Sequence, residues 1–263
     1  MTLRISFLGL DFDALPLKDA AAAIAARAGS GAAFSYVATP NVDHIVRIDG
    51  EPRLRELYAG AWLTLCDSRI LELLARASGR ALPVAPGADL VEALFRDHVW
   101  PRDPVTVIGG SAAAVEALRK RYHLANLFWF DAPSGLRDDA EARTRCVDFI
   151  RDHPADFVLL AVGSPQQEMI AHETLARGGA VGVAICCGAS LDFLTGETAR
   201  APRWMQTARL EWLHRLATEP KRLWRRYLMD GPAIVRLWLE WRWSAFRRAG
   251  NRFAIRKRDQ TRI

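Results

Sequence analysis

The sequence lacks the features that mark several classes of protein. It has no uncharged apolar run of about 18 residues, so we expect no transmembrane helix. Its four cysteines form no C-x-x-C pair, and we interpret them as buried thiols of a reducing compartment. It has no internal repeat and no low-complexity tract. Half of its 263 residues are apolar, which is typical of a chain that buries a core.

Several ligand-binding signatures are also missing or incomplete. Gly109-Gly110-Ser111 is only a fragment of a glycine-rich loop, which disfavours a nicotinamide cofactor. The isolated histidines, such as His44 and His172, have no metal-ligand spacing. Asp11-Phe12-Asp13 has the D-x-D form that holds a metal and a nucleotide in many transferases. Because it follows the first strand, before any nucleotide-binding unit, we reject it as a site. We therefore expect neither a metal nor a cofactor.

Charge and tryptophan are concentrated at one end of the chain. Residues 203–263 contain sixteen Lys or Arg against five Asp or Glu, and six of the nine tryptophans. Residues 1–202 have 20 basic and 25 acidic side chains. We therefore predict two parts, an α/β domain over residues 1–200 and a basic helical appendage over residues 201–263.

The first 200 residues alternate short apolar runs with helical patterns. The predicted strands are Arg4–Leu8, Phe34–Ala38, Trp62–Cys66, Val105–Ile108, Leu127–Phe130, Phe157–Val162 and Val181–Cys186. Continuous apolar strands separated by helices are typical of a mostly parallel sheet with helices on both faces. We predict a Rossmann-like α/β fold, whose ligands bind at the carboxyl ends of the strands.

Polar residues follow two of the predicted strands. Asp67 comes directly after Trp62–Cys66, where a carboxylate can act as a general base. Thr39 and Asn41 follow Phe34–Ala38 and suit sugar hydroxyls or a phosphate. Helix capping explains all three nearly as well, so both interpretations stay open.

The stretch from Gly163 to Glu168 is the most informative of the strand exits. Gly163 lets the backbone approach a ligand, and Pro165 suits the first position of a helix. The new helix offers N–H groups to a phosphate, with Gln166, Gln167 and Glu168 in its first turn. We predict that this turn binds substrate.

The appendage has a basic amphipathic pattern over residues 231–248. Its apolar positions at helical spacing are Ile234, Leu237, Trp238, Trp241 and Ala245. A basic, tryptophan-rich helix suits the headgroups of an anionic membrane, although an ordinary helix packed on the core is the alternative. A nucleic-acid-binding protein would also be basic at one end. The acidic first 200 residues would repel a phosphate backbone, so we expect no nucleic-acid partner.

Taken together, the motifs resemble the WecG/TagA/CpsF family of bacterial glycosyltransferases. The matching stretches are Thr39–His44, the strand into Asp67, Gly87–Leu90, Gly163–Glu168, Arg200–Met205, Glu211–Leu216 and Glu219–Arg222. The resemblance implies metal-independent, inverting transfer of a sugar from a UDP-sugar to a polyprenyl-diphosphate-linked sugar. This reaction serves exopolysaccharide, capsule or cell-wall polymer synthesis, on the cytoplasmic face of the plasma membrane. Some family members self-associate, which makes a homo-oligomer a further expectation.

The resemblance also assigns roles to individual residues. Asp67 resembles the catalytic base, Thr39 and Asn41 the substrate-binding pair, and Gln167 the active-site glutamine. The remaining predicted substrate-binding residues are Asp89, Gly163, Gln166, Glu168, Arg215, Arg222 and Arg225.

The chain departs from the family pattern at two positions. Ser68 replaces a usual glycine and Ala85 a frequent arginine. These two departures leave open a second interpretation of the chain's function. In it, the protein is a catalytically inactive homologue that acts as a membrane-associated scaffold in polysaccharide assembly.

Overall fold

A computed structural model describes residues 3–188, 191, 232–244 and 246–247. Its strands are β1 (Arg4–Phe7), β2 (Leu10–Asp13), β3 (Ser35–Ala38), β4 (Leu63–Thr64), β5 (Val105–Gly109), β6 (Leu127–Phe130), β7 (Phe157–Ala161) and β8 (Val183–Cys186). Its helices up to residue 188 are α1 (Leu17–Ala28), α2 (Val42–Gly50), α3 (Arg55–Ala59), α4 (Arg69–Arg76), α5 (Gly87–Asp97), α6 (Ala112–Tyr122), α7 (Ala140–Asp152) and α8 (Gln166–Arg177). Residues 232–244 form a further helix, which we call the C-terminal helix.

Six of the strands form one parallel sheet in the order β4-β3-β8-β7-β5-β6. The chain leaves β5 through α6 towards β6 and leaves β7 through α8 towards β8, so the two connections diverge from neighbouring strands. Such a switch point leaves a crevice between the strands, where α/β proteins bind ligands. The predicted α/β fold with a parallel sheet is confirmed.

Helices cover both faces of this sheet because alternate strand residues point to opposite sides. One apolar core joins Ile108 and Leu160 to α2, α7 and α8. The other joins Val107 and Leu159 to α1, α5 and α6. Most strand residues on both faces are therefore apolar, which is the pattern from which the parallel sheet is predicted.

The N-terminal strand does not enter the main sheet as the sequence suggested. β1 and β2 form an antiparallel hairpin through Leu8 and Gly9, both at positive φ, as two-residue hairpin turns prefer. Asp13 at the end of β2 is buried and accepts hydrogen bonds from Thr64 N (2.9 Å) and Arg4 Nε (3.1 Å). The second carboxylate of the D-x-D triplet thus joins the hairpin to β4.

The C-terminal helix packs against the α/β domain. Ile234 and Leu237 are buried in the core that contains α2 and α8, and Trp241 lies edge-on to Phe7 with ring centroids 5.2 Å apart. Trp238 Nε1 donates to Ser78 Oγ at 2.9 Å. The apolar face that the sequence pattern favoured for a membrane is therefore the face that packs on the protein, and that interpretation of it is wrong.

We predict that Asp13→Ala lowers the free energy of unfolding by about 2–3 kcal/mol, because it leaves a buried backbone N–H without its charged acceptor. Asp11→Ala is the matched control, since Asp11 is exposed and bonds only Ser6 of the same hairpin among the described residues. The control should stay within about 0.5 kcal/mol. Urea unfolding of the two variants makes the comparison, and equal midpoints would remove Asp13 from its structural role.

Candidate active site

The segments that follow the six parallel strands meet at one edge of the sheet. We call it the ligand edge. Asp67 N donates to the carbonyl of Pro40 at 3.0 Å, which joins the exits of β4 and β3. Thr39 Oγ1 donates to the carbonyl of Cys186 at 3.4 Å, and Gly188 N donates to Gln167 Oε1 at 2.8 Å. Hydrogen bonds therefore run from the exit of β4 across β3 and β8 to the helix that follows β7.

Asp67 stands at the exit of β4 and does not cap the helix that follows. Ser68 is the cap of α4, with its hydroxyl oxygen accepting from Leu71 N at 3.2 Å. The capping alternative for Asp67 is therefore wrong. The serine that departs from the family pattern has a structural reason, since a glycine would offer no side-chain acceptor to the helix.

The segment that precedes α5 flanks the same strand exit. Val84 forms a parallel bridge with Cys66, and Ala85 N donates to the Cys66 carbonyl at 2.9 Å. The segment runs parallel to β4, so Asp89 in the first turn of α5 follows at the ligand edge. Ala85 itself is fully buried in the apolar core, and its side chain contacts protein at a position where the family often has arginine.

Thr39 and Asn41 have structural partners in addition to their predicted ligands. Thr39 is buried, with its hydroxyl bonded to β8 as described. Asn41 caps α2, as the sequence predicted, through a hydrogen bond from Asp43 N to its Oδ1 (3.1 Å). Asn41 Oδ1 also lies 2.9 Å from His44 Nδ1. The described structure places both residues on the ligand edge, and their contact with substrate stays a prediction.

The turn between β7 and α8 divides its polar side chains between two environments. Gly163 has a φ of +77°, and a Cβ there would meet no atom of the described residues within 4 Å. Pro165 precedes the helix, so α8 begins one residue later than the sequence predicted. Gln167 and Glu168 are buried, and Gln167 Nε2 donates to Glu168 Oε1 at 2.8 Å. Both side chains thus bond the protein interior.

Glu168 brings a buried negative charge beneath the ligand edge. Its burial would raise the pKa of the carboxyl, but His44, Gln167 and Ser164 outweigh burial and hold the pKa below its usual value. The same carboxylate adds to burial in raising the pKa of Tyr36 and of Tyr58. Both tyrosines therefore stay neutral around a charged glutamate.

A cleft of about 290 Å³ lies where β5, β6 and β7 end, at the switch point of the sheet. Its lining residues are Gly109, Gly110, Ala132, Pro133, Ser134, Gly135, Leu136, Ala161, Val162 and Gln166. Gln166 Oε1 is buried there, with no hydrogen-bond partner in the part of the chain that the structure describes. A Cβ on Gly110 would fall 2.6 Å from Leu191 Cδ2, and the φ of this glycine is +74°. A side chain at this position would therefore clash with Leu191, which explains why the wall of the cleft has a glycine here.

Sequence reasoning missed two parts of this site. Residues 132–136 follow β6 and line the cleft, and the Pro133-Ser134-Gly135 turn after an apolar strand was the signal that could have found them. His44 was noted as an unsuitable metal ligand and as the end of a matching stretch, with no role assigned, yet its Nε2 lies 3.7 Å from Glu168 Oε1. Within the described ranges, no three His, Cys, Asp or Glu side chains converge as metal ligands.

The family model described as Glycosyl transferase WecG/TagA/CpsF family matches residues 5–248 of the chain. The chain belongs to this family. WecG/TagA/CpsF membership assigns it glycosyltransferase activity in cell-wall or polysaccharide synthesis. The match includes Arg215, Arg222 and Arg225, which lie outside the described residues. In the described part of this family member, no helix has the length and apolarity needed to cross a bilayer.

We predict a pH-dependent loss of stability in Glu168→Gln. The pKa of Glu168 is lowered in the folded state, so its contribution is complete above the ordinary value of 4.5 and is lost as pH falls through the lower folded value. At pH 7 the variant should unfold about 1–3 kcal/mol more easily. The difference should shrink as pH falls below 4.5, because glutamine mimics the protonated acid.

Chemical denaturation at a series of pH values makes this measurement. Glu141→Gln, at an exposed position of α7, is the control that should show no pH-dependent difference. A Glu168→Gln difference that stays constant down to pH 3 would contradict a charged, paired Glu168.

Proposed function

We propose that the chain is an inverting, metal-independent glycosyltransferase that moves a sugar from a UDP-sugar to a polyprenyl-diphosphate-linked sugar. Family membership supports glycosyl transfer. The observation that carries the finer proposal is the position of Asp67 on the ligand edge, where Ser68 takes over the capping of α4. A carboxylate at the carboxyl end of a parallel strand lies where such sheets bind their ligands, which is the place a general base needs.

The proposed reaction is a single displacement. Asp67 takes the proton of the acceptor hydroxyl, whose oxygen forms a bond to the anomeric carbon. The bond from that carbon to the diphosphate oxygen breaks on the opposite face, and its electron pair leaves with UDP. The proton is on Asp67 and the negative charge on UDP at the end of the step.

The cleft supports the departure of UDP. Helices α6 and α8 both begin beside it, after Ser111 and Pro165 respectively. Helix N-termini stabilise anions through their free N–H groups and the helix dipole. In the proposal, Arg215, Arg222 and Arg225 add positive charge from the appendage, as the family resemblance implies.

We also propose that the protein docks on the cytoplasmic face of an anionic membrane, through a second apolar face of the C-terminal helix. This docking face consists of Val235, Leu239, Trp243 and Phe246, which are 46%, 55%, 62% and 76% exposed. Their spacing of three to four residues places them along one side of the helix. Arg236, Arg242 and Arg247 are exposed beside them, and each basic residue near such a surface adds about 1 kcal/mol.

The scaffold interpretation gains no support from the two departures in sequence. Ser68 caps a helix and Ala85 is buried in the core, so each has a structural explanation that leaves Asp67 in place. Turnover distinguishes an enzyme from a scaffold.

We predict that the wild-type protein releases UDP from one member of a panel of UDP-sugars only when a short-chain polyprenyl-diphosphate-sugar acceptor is present. Asp67→Asn should bind UDP with unchanged affinity and lose about 10²–10⁴-fold in turnover, which is the usual contribution of a general base. Asp97→Asn, at an exposed position of α5, is the control and should retain activity.

Three outcomes decide the proposal. Absence of acceptor-dependent UDP release with every sugar would contradict the transferase mechanism and favour the scaffold. Near-normal turnover by Asp67→Asn would remove Asp67 as the base. A product that retains the anomeric configuration of the donor would contradict single displacement.

We predict that replacing Leu239, Trp243 and Phe246 together by serine lowers affinity for phosphatidylglycerol vesicles by at least roughly tenfold, because burying apolar area and basic charge both drive binding. The matched control replaces Leu3, Trp100 and Leu175, which are also exposed but lie on the α/β domain. Vesicle sedimentation of the full chain gives the affinities. Equal binding by both triple variants would show that another surface docks.

A further inference from the structure

A buried chain of polar groups connects Glu168 to the ligand edge. Glu168 Oε1 lies 3.7 Å from Nε2 of His44, which is a contact between α8 and α2. On the other side of the imidazole ring, Nδ1 lies 2.9 Å from Asn41 Oδ1 and 3.3 Å from Asn41 N. The ring is therefore in contact with the carboxylate on one side and with both backbone and side chain of Asn41 on the other.

The hydrogen bonds of Asn41 determine which end of its amide is left for a ligand. The backbone N–H of Asp43 donates to Oδ1 at 3.1 Å, which identifies that atom as the oxygen. The contact with His44 falls on the same oxygen. Among the described residues both side-chain contacts of Asn41 are thus on Oδ1, and the NH2 group is the end that can donate to a substrate oxygen.

Helix capping alone does not account for this arrangement. The cap of α2 is a capping box that Asn41 and His44 form with backbone N–H groups, and such a cap needs no buried carboxylate. Glu168 is 1% exposed, and its Oε2 is buried without a hydrogen-bond partner among the described residues. Because burying a carboxylate costs several kcal/mol, an apolar residue of similar size would often be as stable there or more so. A buried carboxylate that the fold itself does not need, directly beneath a ligand edge, indicates a role beyond packing.

The neighbouring side chains also restrain the imidazole ring of His44 and the carboxylate of Glu168. Gln167 holds Glu168 Oε1 at 2.8 Å, and its other end is bonded to Gly188 N. Tyr58 lies edge-on to His44 with ring centroids 6.3 Å apart. Arg47 is occupied by Asp43 at 2.8 Å and by Ser164 at 3.1 Å. Carboxylate and ring are therefore held between α2, α3 and α8.

We propose that Glu168 is a positioning residue that acts through His44 to hold the side-chain amide of Asn41 in one orientation, with its NH2 group ready to donate to a hydroxyl or diphosphate oxygen of the bound sugar nucleotide. This role rests on the proposed function of the site. It assigns Glu168 an indirect part in binding, in agreement with its burial. It also makes His44 a functional residue of the α2 turn.

The test combines a kinetic cycle with a measurement that needs no turnover. We expect Glu168→Gln to lower kcat/KM for the active UDP-sugar roughly 10–100-fold, which is the scale of a small misplacement of a substrate contact. In an Asn41→Ala background the same change should alter kcat/KM less than about twofold, because its effect passes through Asn41. A structural role would lower kcat/KM by the same factor in both backgrounds.

His44→Asn is the conservative variant that tests the link. Its amide keeps a polar group near the place of Nδ1 but does not reach Glu168. We expect His44→Asn to retain more activity than His44→Ala. In the His44→Asn background, Glu168→Gln should cause no further change in kcat/KM. Glu173→Gln is the matched control on α8, since Glu173 pairs with Arg143 at 2.7 Å, away from Asn41.

Side-chain amide NMR of Asn41 separates this proposal from the proposed function. In the wild-type protein we expect an ordered NH2 pair, and in Glu168→Gln increased mobility of that pair, with no change in Glu173→Gln. Unchanged Asn41 dynamics together with additive kinetics would overturn the positioning role. A wild-type protein that transfers no sugar but shows the NMR coupling would overturn the proposed function and leave the connection from Glu168 to Asn41 standing.

Discussion

All six strands of the main sheet run parallel, and this constraint organises the rest of the molecule. Every segment that leaves a strand at its carboxyl end must begin at the same edge. Residues far apart in the chain, such as Thr39, Asp67, Gly163 and Gly188, are brought together without any direct sequence signal that joins them. The helices must then return over one face or the other, and where their directions diverge between β5 and β7 a cleft remains.

A buried negative charge lies just inside the same edge of the sheet, and a few interior residues stabilise it. Backbone N–H groups and helix N-termini collect there and favour an anion, yet the protein places its own anion, Glu168, just inside. Gln167 and His44 hold this carboxylate from two sides. The negative charge of Glu168 is thereby held in a fixed place inside the edge.

How far the sequence predicts this structure depends on the range of the interactions involved. The cap at Asn41 and the helix after Pro165 were predictable to within one residue, because local backbone chemistry decides them. The hairpin was missed because aspartates interrupt the apolar residues of β2, and the burial of Asp13 depends on Thr64, which is 51 positions away. No local pattern indicates that a D-x-D aspartate will meet a backbone N–H so distant in the chain.

The site and the C-terminal helix show a related limit. Strand exits could be located from apolar runs, but the sequence does not tell that Gln166 faces the cleft while Gln167 and Glu168 face inward. The C-terminal helix has two apolar stripes, one containing Ile234 and Trp241 and the other Leu239 and Trp243. The spacing of apolar residues does not tell which stripe packs on the protein. The tertiary contacts with Phe7 and Ser78 decide that.

Helix α4 gives the two ends of the molecule a mechanical connection. It begins two residues after Asp67, runs for eight residues, or about 12 Å, and ends beside the C-terminal helix. The carbonyl of Ala77 and the hydroxyl of Ser78 accept hydrogen bonds from Arg242 and Trp238 there. A helix of this length behaves as a stiff rod, so a tilt of the C-terminal helix at a surface would be transmitted to the carboxylate at the far end. In the proposed docking, contact with a membrane surface would then act on the position of Asp67, the proposed base, as well as on the location of the protein.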